Sequence, residues 1–219
     1  MKLIITEEQL RLIIENEGDG KLFNVPSAFL QTIGGVTKAL NLYNKLKDVK
    51  GFDGIKVVGK LDYYEIDADD IDDLVNFTNE VVYIDGTLIL AEENPDNNFG
   101  KLKVIDGNLR GSEVDNISFP NLEYVTGDVS LEDSGIVELP KLKKVDGVLY
   151  LQRTGIHSLP KLEYVGLHLN LYGARINDLP KLEIVQGLLT LRHTPLADKT
   201  TEEELRNKIQ VGGNISLWN

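Results

Sequence analysis

The three histidines, His157, His168 and His193, are the side chains best suited to proton transfer or metal binding near neutral pH. Their spacing matches no metal-ligand motif, and the chain lacks the serine elbow that a hydrolytic triad would need. We therefore expect solvated imidazoles, with His168 directed outward from a strand and the other two histidines in turns after strands.

Clustered carboxylates between residues 67 and 73 have a composition that could bind a cation. This segment lacks the loop glycine and the closing glutamate of an EF-hand calcium site. Acidic residues also favour the first turn of a helix, because they complement the positive end of its dipole. The segment therefore favours a helix start over a metal site.

The rest of the chain offers little other catalytic chemistry. It contains no cysteine, which excludes thiolate nucleophiles, disulfides and iron–sulfur ligation. Gly34 and Gly35 belong to no phosphate-binding motif, and we expect them to bend or split a helix. Acids on the predicted exposed surface are scattered, whereas a glycosidase needs a facing pair. We expect no cofactor, no metal and no catalytic residue, and hence a protein that is not an enzyme.

The charge balance narrows the classes of partner. The chain has 35 acidic and 23 basic residues and a formal charge of −12 at pH 7, which argues against binding to the nucleic-acid backbone. No apolar run approaches the roughly 18 residues of a membrane helix. The N-terminal residues turn polar too early for a secretory signal. We expect a cytoplasmic protein that binds neither nucleic acid nor a membrane.

A period of 20 residues organises most of the chain. The repeat places a leucine–proline corner before a V-x-G-x-[L/V]-x-L motif, and the copy that starts at Val165 departs by carrying Gly166 and Leu167. Alternating apolar residues predict strands with one buried face, and stacked repeats then share a continuous core. Copies of the strand motif begin at residues 57, 84, 105, 125, 145, 165, 185 and 211.

Polar residues also recur at fixed positions of the repeat. Ser134, Thr154 and Thr194 follow the last strand leucine by three residues, where an inward hydroxyl would satisfy backbone groups. Ala174 interrupts this ladder. On the outer surface Lys144 falls between two tyrosines of neighbouring repeats, which predicts cation–π contacts.

The pattern L-P-K-L-x-x-V-x-G-x-L-x-L-x-x-T-x-I resembles leucine-rich repeats and is most similar to receptor L domains and related bacterial variants. It departs from the common pattern in using Thr or Ser where Asn is usual. The resemblance implies a mainly β fold with helical caps, namely a right-handed β-solenoid of about eight coils over residues 55–219. It also implies binding by the sheet face rather than catalysis. Short helical insertions are predicted near residues 67–77 and 200–209.

The N-terminal residues 1–54 do not fit the repeat and predict a helical cap. One helix is expected from Thr6 to about Asn16 and a second from about Pro26 to Lys47. Such helices either cover the first repeat or dock a partner, and the sequence leaves both readings open. The first ten residues resemble the start of many uncharacterised tailed-bacteriophage proteins. That resemblance implies a viral source, and thus a place in the host cytoplasm or the virion.

The outward positions of the strands change in composition from the fifth strand motif onward. They become aromatic and aliphatic with an added arginine, a mixture typical of binding hot spots. The predicted partner-binding residues are Val148, Tyr150, His168, Tyr172, Leu188, Arg192 and Trp218.

Together these patterns predict a non-enzymatic protein–protein interaction module that presents a solenoid sheet face to a protein partner. In this reading it is a phage-encoded factor that acts on a host protein or belongs to the virion. One alternative is a carbohydrate-binding or carbohydrate-processing β-helix protein, whose aromatic residues would stack on sugar rings. Another is a self-assembling structural protein that forms homo-oligomers through the open edge of its C-terminal strand.

Overall fold

The structure, a computed structural model, describes residues 22–66, 71–92 and 97–217, with the exception of the side chain of Val49. The helix predicted near residues 6–16 lies outside the described residues, as do residues 67–70 at the start of the acidic segment.

The described residues form short strands and four α-helices. The strands are β1 (Leu22–Pro26), β2 (Gly54–Val58), β3 (Leu61–Asp62), β4 (Val81–Asp85), β5 (Leu88–Ile89), β6 (Asn97–Asn98), β7 (Val104–Ile105), β8 (Leu109–Arg110), β9 (Ile117–Ser118), β10 (Tyr124–Val125), β11 (Val129–Ser130), β12 (Lys144–Val145), β13 (Leu149–Tyr150), β14 (Tyr164–Val165), β15 (Leu169–Asn170), β16 (Ile184–Val185), β17 (Leu189–Thr190), β18 (Gln210–Val211) and β19 (Ile215–Ser216). The helices are α1 (Ser27–Leu30), α2 (Gly35–Lys50), α3 (Ile71–Glu80) and α4 (Glu202–Arg206), with a 3-10 turn at Ala197–Lys199.

The strands pair in parallel within three sheets. Sheet A has nine strands in the order β1-β2-β4-β7-β10-β12-β14-β16-β18. Sheet B has eight strands, from β3 at one edge through β5, β8, β11, β13, β15 and β17 to β19 at the other. Sheet C is the pair β6-β9. The prediction of a mainly β protein built from short parallel strands with few helices is confirmed.

Each copy of the strand motif contributes to both main sheets, because the chain turns at the glycine between its valine and its leucines. Val145, for example, lies in sheet A and Leu149 in sheet B. A Cβ atom on the intervening Gly147 would lie 2.7 Å from the carbonyl carbon of Gly127 and would also clash with Asp128. Glycine therefore allows successive repeats to approach closely at the turn.

The core lies between the sheets and is built from columns of identical positions. The valines 125, 145, 165 and 185 are 0–1% exposed, and the leucines 149, 169 and 189 beside them are 0% exposed. Their 20-residue offsets put them in register across neighbouring strands. Contacts within these apolar columns therefore stabilise the packing of each repeat on the next.

The predicted hydroxyl ladder is confirmed. Ser134, Thr154 and Thr194 are buried, and each donates to the carbonyl oxygen three residues earlier at 2.6, 2.8 and 2.6 Å respectively. Ala174 fills the same buried position in the intervening repeat. The hydroxyls satisfy carbonyl groups at the point where the chain leaves sheet B.

The N-terminal part contains a strand that the sequence did not predict. Strand β1 pairs along its whole length with β2 and is the first strand of sheet A. The expected second helix is split into α1 and α2, with Gly34 in the left-handed region at a φ of 61°. Helix α2 contacts α3, where Tyr43 Oη donates to Glu80 Oε2 at 2.7 Å.

Candidate protein-binding face

The outer surface of sheet B holds the residues predicted to bind a partner. Tyr150 of β13 is in register with Asn170 of β15, which in turn is in register with Thr190 of β17. The other predicted residues precede or follow these strands by one or two positions. Six of the seven thus lie on adjacent repeats, and we call them the sheet B patch: Val148, Tyr150, His168, Tyr172, Leu188 and Arg192. Trp218 lies outside the described residues.

The apolar side chains of the patch are partly exposed to solvent and partly packed against their neighbours. Leu188 is 45% exposed, whereas Val148, Tyr150 and Tyr172 are half-buried. Leu167, which the sequence reasoning did not select, is 49% exposed and adds apolar area beside the patch. The sequence signal for Leu167 was that this repeat carries Gly166 and Leu167 where the other repeats carry a variable residue followed by glycine.

The sequence suggested that His168 is a solvated imidazole. In the structure it forms a hydrogen bond that links two repeats. Its Nδ1 accepts a hydrogen bond from the backbone N–H of Leu188 at 2.9 Å. The equivalent residues of earlier repeats accept in the same way. Asn108 Oδ1 accepts from the backbone N–H of Asp128 at 2.7 Å, and Asp128 Oδ1 accepts from the backbone N–H of Val148 at 3.0 Å. The three contacts repeat one pattern, in which a side-chain acceptor binds a backbone N–H of the next repeat.

The ring of Tyr172 is oriented by its neighbours. Its centroid lies 4.9 Å from that of His193 with an interplanar angle of 80°, which is an edge contact. Its backbone N–H donates to Asn170 Oδ1 at 3.1 Å. The contact with His193 therefore restrains the ring before a partner binds, which reduces the entropy cost of binding.

Arg153 and Arg192, which lie near the patch, differ in their ionic contacts. Arg153 donates through Nε and Nη2 to Asp133, and this hydrogen bonding lowers the pKa of the Asp133 carboxyl and raises that of the guanidinium. Arg192 is exposed and has no acidic partner within 4.0 Å among the described residues. Arg192 is thus a guanidinium available to a binding partner.

The outer surface of sheet A also carries tyrosines, but cations lie over their rings. Lys143 Nζ is 5.5 Å from the ring centroid of Tyr124, and Lys144 Nζ is 5.3 Å from that of Tyr164. The predicted cation–π contact of Lys144 is confirmed for one of its two neighbouring rings. Where the chain is described, no such cation lies over the rings of the sheet B patch. The rings of the sheet B patch thus differ from Tyr124 and Tyr164 of sheet A in having no lysine over them.

A cavity of about 420 Å³ lies between residues 178–182, which precede strand β16, and the insertion that contains helix α4. Its walls are mainly aliphatic, and its one carboxylate, Asp178, accepts the hydroxyl of Ser158 at 2.5 Å. The cavity therefore lacks a pair of acidic groups placed for glycoside hydrolysis.

The described part of the chain contains no group of three His, Asp or Glu side chains placed to bind a metal ion. Within residues 22–66, 71–92 and 97–217, none of the helices has the length and apolar character needed to cross a bilayer. Comparison with protein-family models, curated proteins and solved structures gives no match for this chain.

Proposed function

We propose that this protein is a non-enzymatic interaction module that binds a protein partner through the outer surface of sheet B. The observation that carries the proposal is the sheet B patch itself. Half-exposed aromatic and aliphatic side chains are contiguous there on successive repeats, and an unpaired arginine lies beside them. Buried aromatic and arginine anchors of this kind contribute most of the free energy of protein binding.

The proposal extends to the form of the scaffold. We take the repeats to be the coils of a right-handed, leucine-rich-repeat-like β-solenoid, about eight in number. Support comes from the pairing register, in which Val125 faces Val145 and Leu149 faces Leu169 at the same 20-residue offset. A regular stack gives a flat outer surface whose side chains are spaced by the distance between strands, about 4.8 Å.

The positioning of the side chains supports a pre-organised surface. Tyr172 is held by Asn170 and His193, and His168 is fixed by its hydrogen bond to the Leu188 backbone. A surface that is already ordered loses little side-chain entropy on binding, so more of the contact free energy appears as affinity.

Affinity capture with paired variants tests the proposal. The test variant is Tyr150→Ser with Tyr172→Ser, which removes two aromatic rings from sheet B. The matched control is Tyr124→Ser with Tyr164→Ser, which removes two rings from the outer surface of sheet A. The source is a lysate of the host, because the resemblance of the first ten residues implies a phage-encoded factor.

We expect the wild type and the control to capture the same protein, and the test variant to lose it. Truncation at a hot spot costs about 2 kcal/mol or more, so two such losses reduce affinity by far more than tenfold. Equal capture by all three proteins would contradict the assignment of the patch. A glycan array run in parallel addresses the carbohydrate alternative, since strong glycan binding that depends on Tyr150 and Tyr172 would replace the protein partner.

A further inference from the structure

The edge of sheet A at strand β18 carries backbone carbonyls that elsewhere in the stack accept hydrogen bonds from the next repeat. In the preceding repeat, Val185 O accepts from the N–H of Gly212 and Gly187 O from that of Gly213, both at 2.9 Å. One repeat earlier, Val165 O accepts from Gln186 at 3.0 Å in the same way. The corresponding carbonyls at the edge belong to Val211 and Gly213, and β18 is the last strand in the order of sheet A.

The side chain of Arg206 supplies both missing donors. Its Nη1 donates to Val211 O at 3.3 Å and its Nη2 to Gly213 O at 3.1 Å. One guanidinium thus takes the place of the two backbone N–H groups that an additional repeat would provide. The fork geometry of the guanidinium suits two acceptors that lie side by side.

The insertion between β17 and β18 holds this guanidinium in position. Arg206 Nε donates to Glu202 Oε1 at 2.8 Å, which leaves both terminal nitrogens free to reach the edge. Helix α4 begins with a capping box, in which Thr201 Oγ1 accepts from the N–H of Glu204 at 3.2 Å and Glu204 Oε2 accepts from that of Thr201 at 2.9 Å. The start of the helix, and with it the position of Arg206, is therefore fixed.

We propose that Arg206 is an edge cap that prevents strand β18 from pairing with β18 of a second copy of this chain. Unpaired strand edges are templates for association, and natural proteins block them with charged side chains. Each residue of a strand carries an N–H group as well as a carbonyl, so the edge of a second copy offers donors to these acceptors, and the contact that the cap prevents is a self-complementary one. This inference concerns self-association and does not depend on the proposed binding of a partner by sheet B.

The edge of sheet B at β19 has no comparable cap among the described residues. In the preceding repeat, Leu189 N–H donates to Asn214 O at 3.0 Å and Leu191 N–H to Ser216 O at 2.8 Å. Strand β19 offers the N–H groups of Ile215 and Leu217 at the corresponding positions. Strands β18 and β19 are each two residues long, so a stable contact between two copies needs the hydrogen bonds of both edges, and blocking the edge of sheet A is enough to prevent it.

The experiment compares the oligomeric state of three full-length proteins over a concentration series by sedimentation velocity. They are the wild type, Arg206→Ala and the matched control Lys208→Ala, which removes a cation from the same insertion without touching the edge. We expect the wild type and the control to keep the monomer mass. Arg206→Ala should rise towards twice that mass, with an apparent dimer dissociation constant at least tenfold lower than that of the wild type.

Two milder variants keep the test decisive if Arg206→Ala does not fold. Arg206→Lys retains the charge but has one nitrogen for two carbonyls, and Glu202→Gln retains the guanidinium but weakens the contact that orients it. Both should associate to an intermediate degree. Monomeric behaviour of every folded Arg206 variant would overturn the proposal, as would a wild type that associates as strongly as they do. Partner capture through sheet B, measured on the same proteins, is expected to be unchanged.

Discussion

The imidazole of His168 and the backbone of Leu188 form a hydrogen bond of 2.9 Å across neighbouring repeats. This contact makes His168 both a member of the sheet B patch and part of the scaffold that supports it. The same position is an asparagine and an aspartate in two earlier repeats, where each accepts a backbone N–H in the same way. The common requirement at this position is therefore a hydrogen-bond acceptor, and not an imidazole.

Replacing His168 by alanine should lower the free energy of unfolding by about 1 kcal/mol, because the Leu188 N–H loses its acceptor. His168→Asn should recover most of this loss, since Asn108 already makes the equivalent contact. Urea unfolding of the two variants and the wild type measures the difference. A His168→Ala protein as stable as the wild type would show that the hydrogen bond contributes nothing to the fold.

The glycine at the turn between the sheets should tolerate no side chain where repeats approach closely. Gly147→Ala places its Cβ 2.7 Å from the carbonyl carbon of Gly127, and we expect a loss of about 1–3 kcal/mol in unfolding free energy. Leu167 occupies the equivalent turn position in the next repeat, where the close approach falls on the preceding Gly166 instead, whose Cβ would lie 2.0 Å from the carbonyl oxygen of Asp146. Leu167→Ala is the matched control and should change stability by less than about 0.5 kcal/mol. Equal effects in thermal unfolding would refute the steric explanation.

The ion pair of Asp133 and Arg153 should be visible in the titration of the carboxyl group. The hydrogen bond from the guanidinium lowers the pKa of Asp133 in the folded protein. A lowered folded-state pKa stabilises the fold above the ordinary aspartate pKa, and this contribution disappears as the pH falls through the folded value. Arg153→Met should therefore raise the pKa of Asp133 towards its ordinary value.

Carboxyl-detected NMR on the Arg153→Met protein measures this change. Glu123 provides an internal control, because its pKa is lowered by a hydrogen bond from Lys143 at 2.5 Å and should stay low in this variant. Lys143→Met should produce the reverse pattern. An unchanged Asp133 titration in the absence of Arg153 would contradict the cause given for the lowered pKa.

Much of the fold could be predicted from the sequence, because a fixed 20-residue period determines which strands pair and which side chains stack. The sequence did not reveal that each motif supplies strands to two sheets. A V-x-G-x-L-x-L motif has the period of a single strand, and only the strand pairing shows that its valine and its leucines belong to different sheets. Strand β1 was missed because it has no repeat motif and gains its partner only in the tertiary structure.

The outward positions were predicted well in the regular repeats and less well in the first ones. The 20-residue frame places Asp62 and Ala91 at outward positions of their strands, but they are only 8% and 5% exposed. Asp62 accepts a hydrogen bond from Lys60 at 2.9 Å. Both residues lie in the irregular repeats with unequal spacing, where the 20-residue frame no longer determines the surroundings of a side chain. The contact of His168 with the Leu188 backbone was also missed, because period alone does not show which side chains accept hydrogen bonds.

Site-specific photo-crosslinking tests the central claim most directly. A benzophenone side chain replaces either Leu188 on sheet B or Tyr124 on sheet A, which are 45% and 39% exposed and thus similarly accessible. After irradiation in host lysate, the account predicts a discrete crosslinked protein from position 188 and none from position 124, with the product abolished when Tyr150 and Tyr172 are serine. The same crosslinked protein from position 124, or an unchanged product in the serine variant, would contradict binding through sheet B.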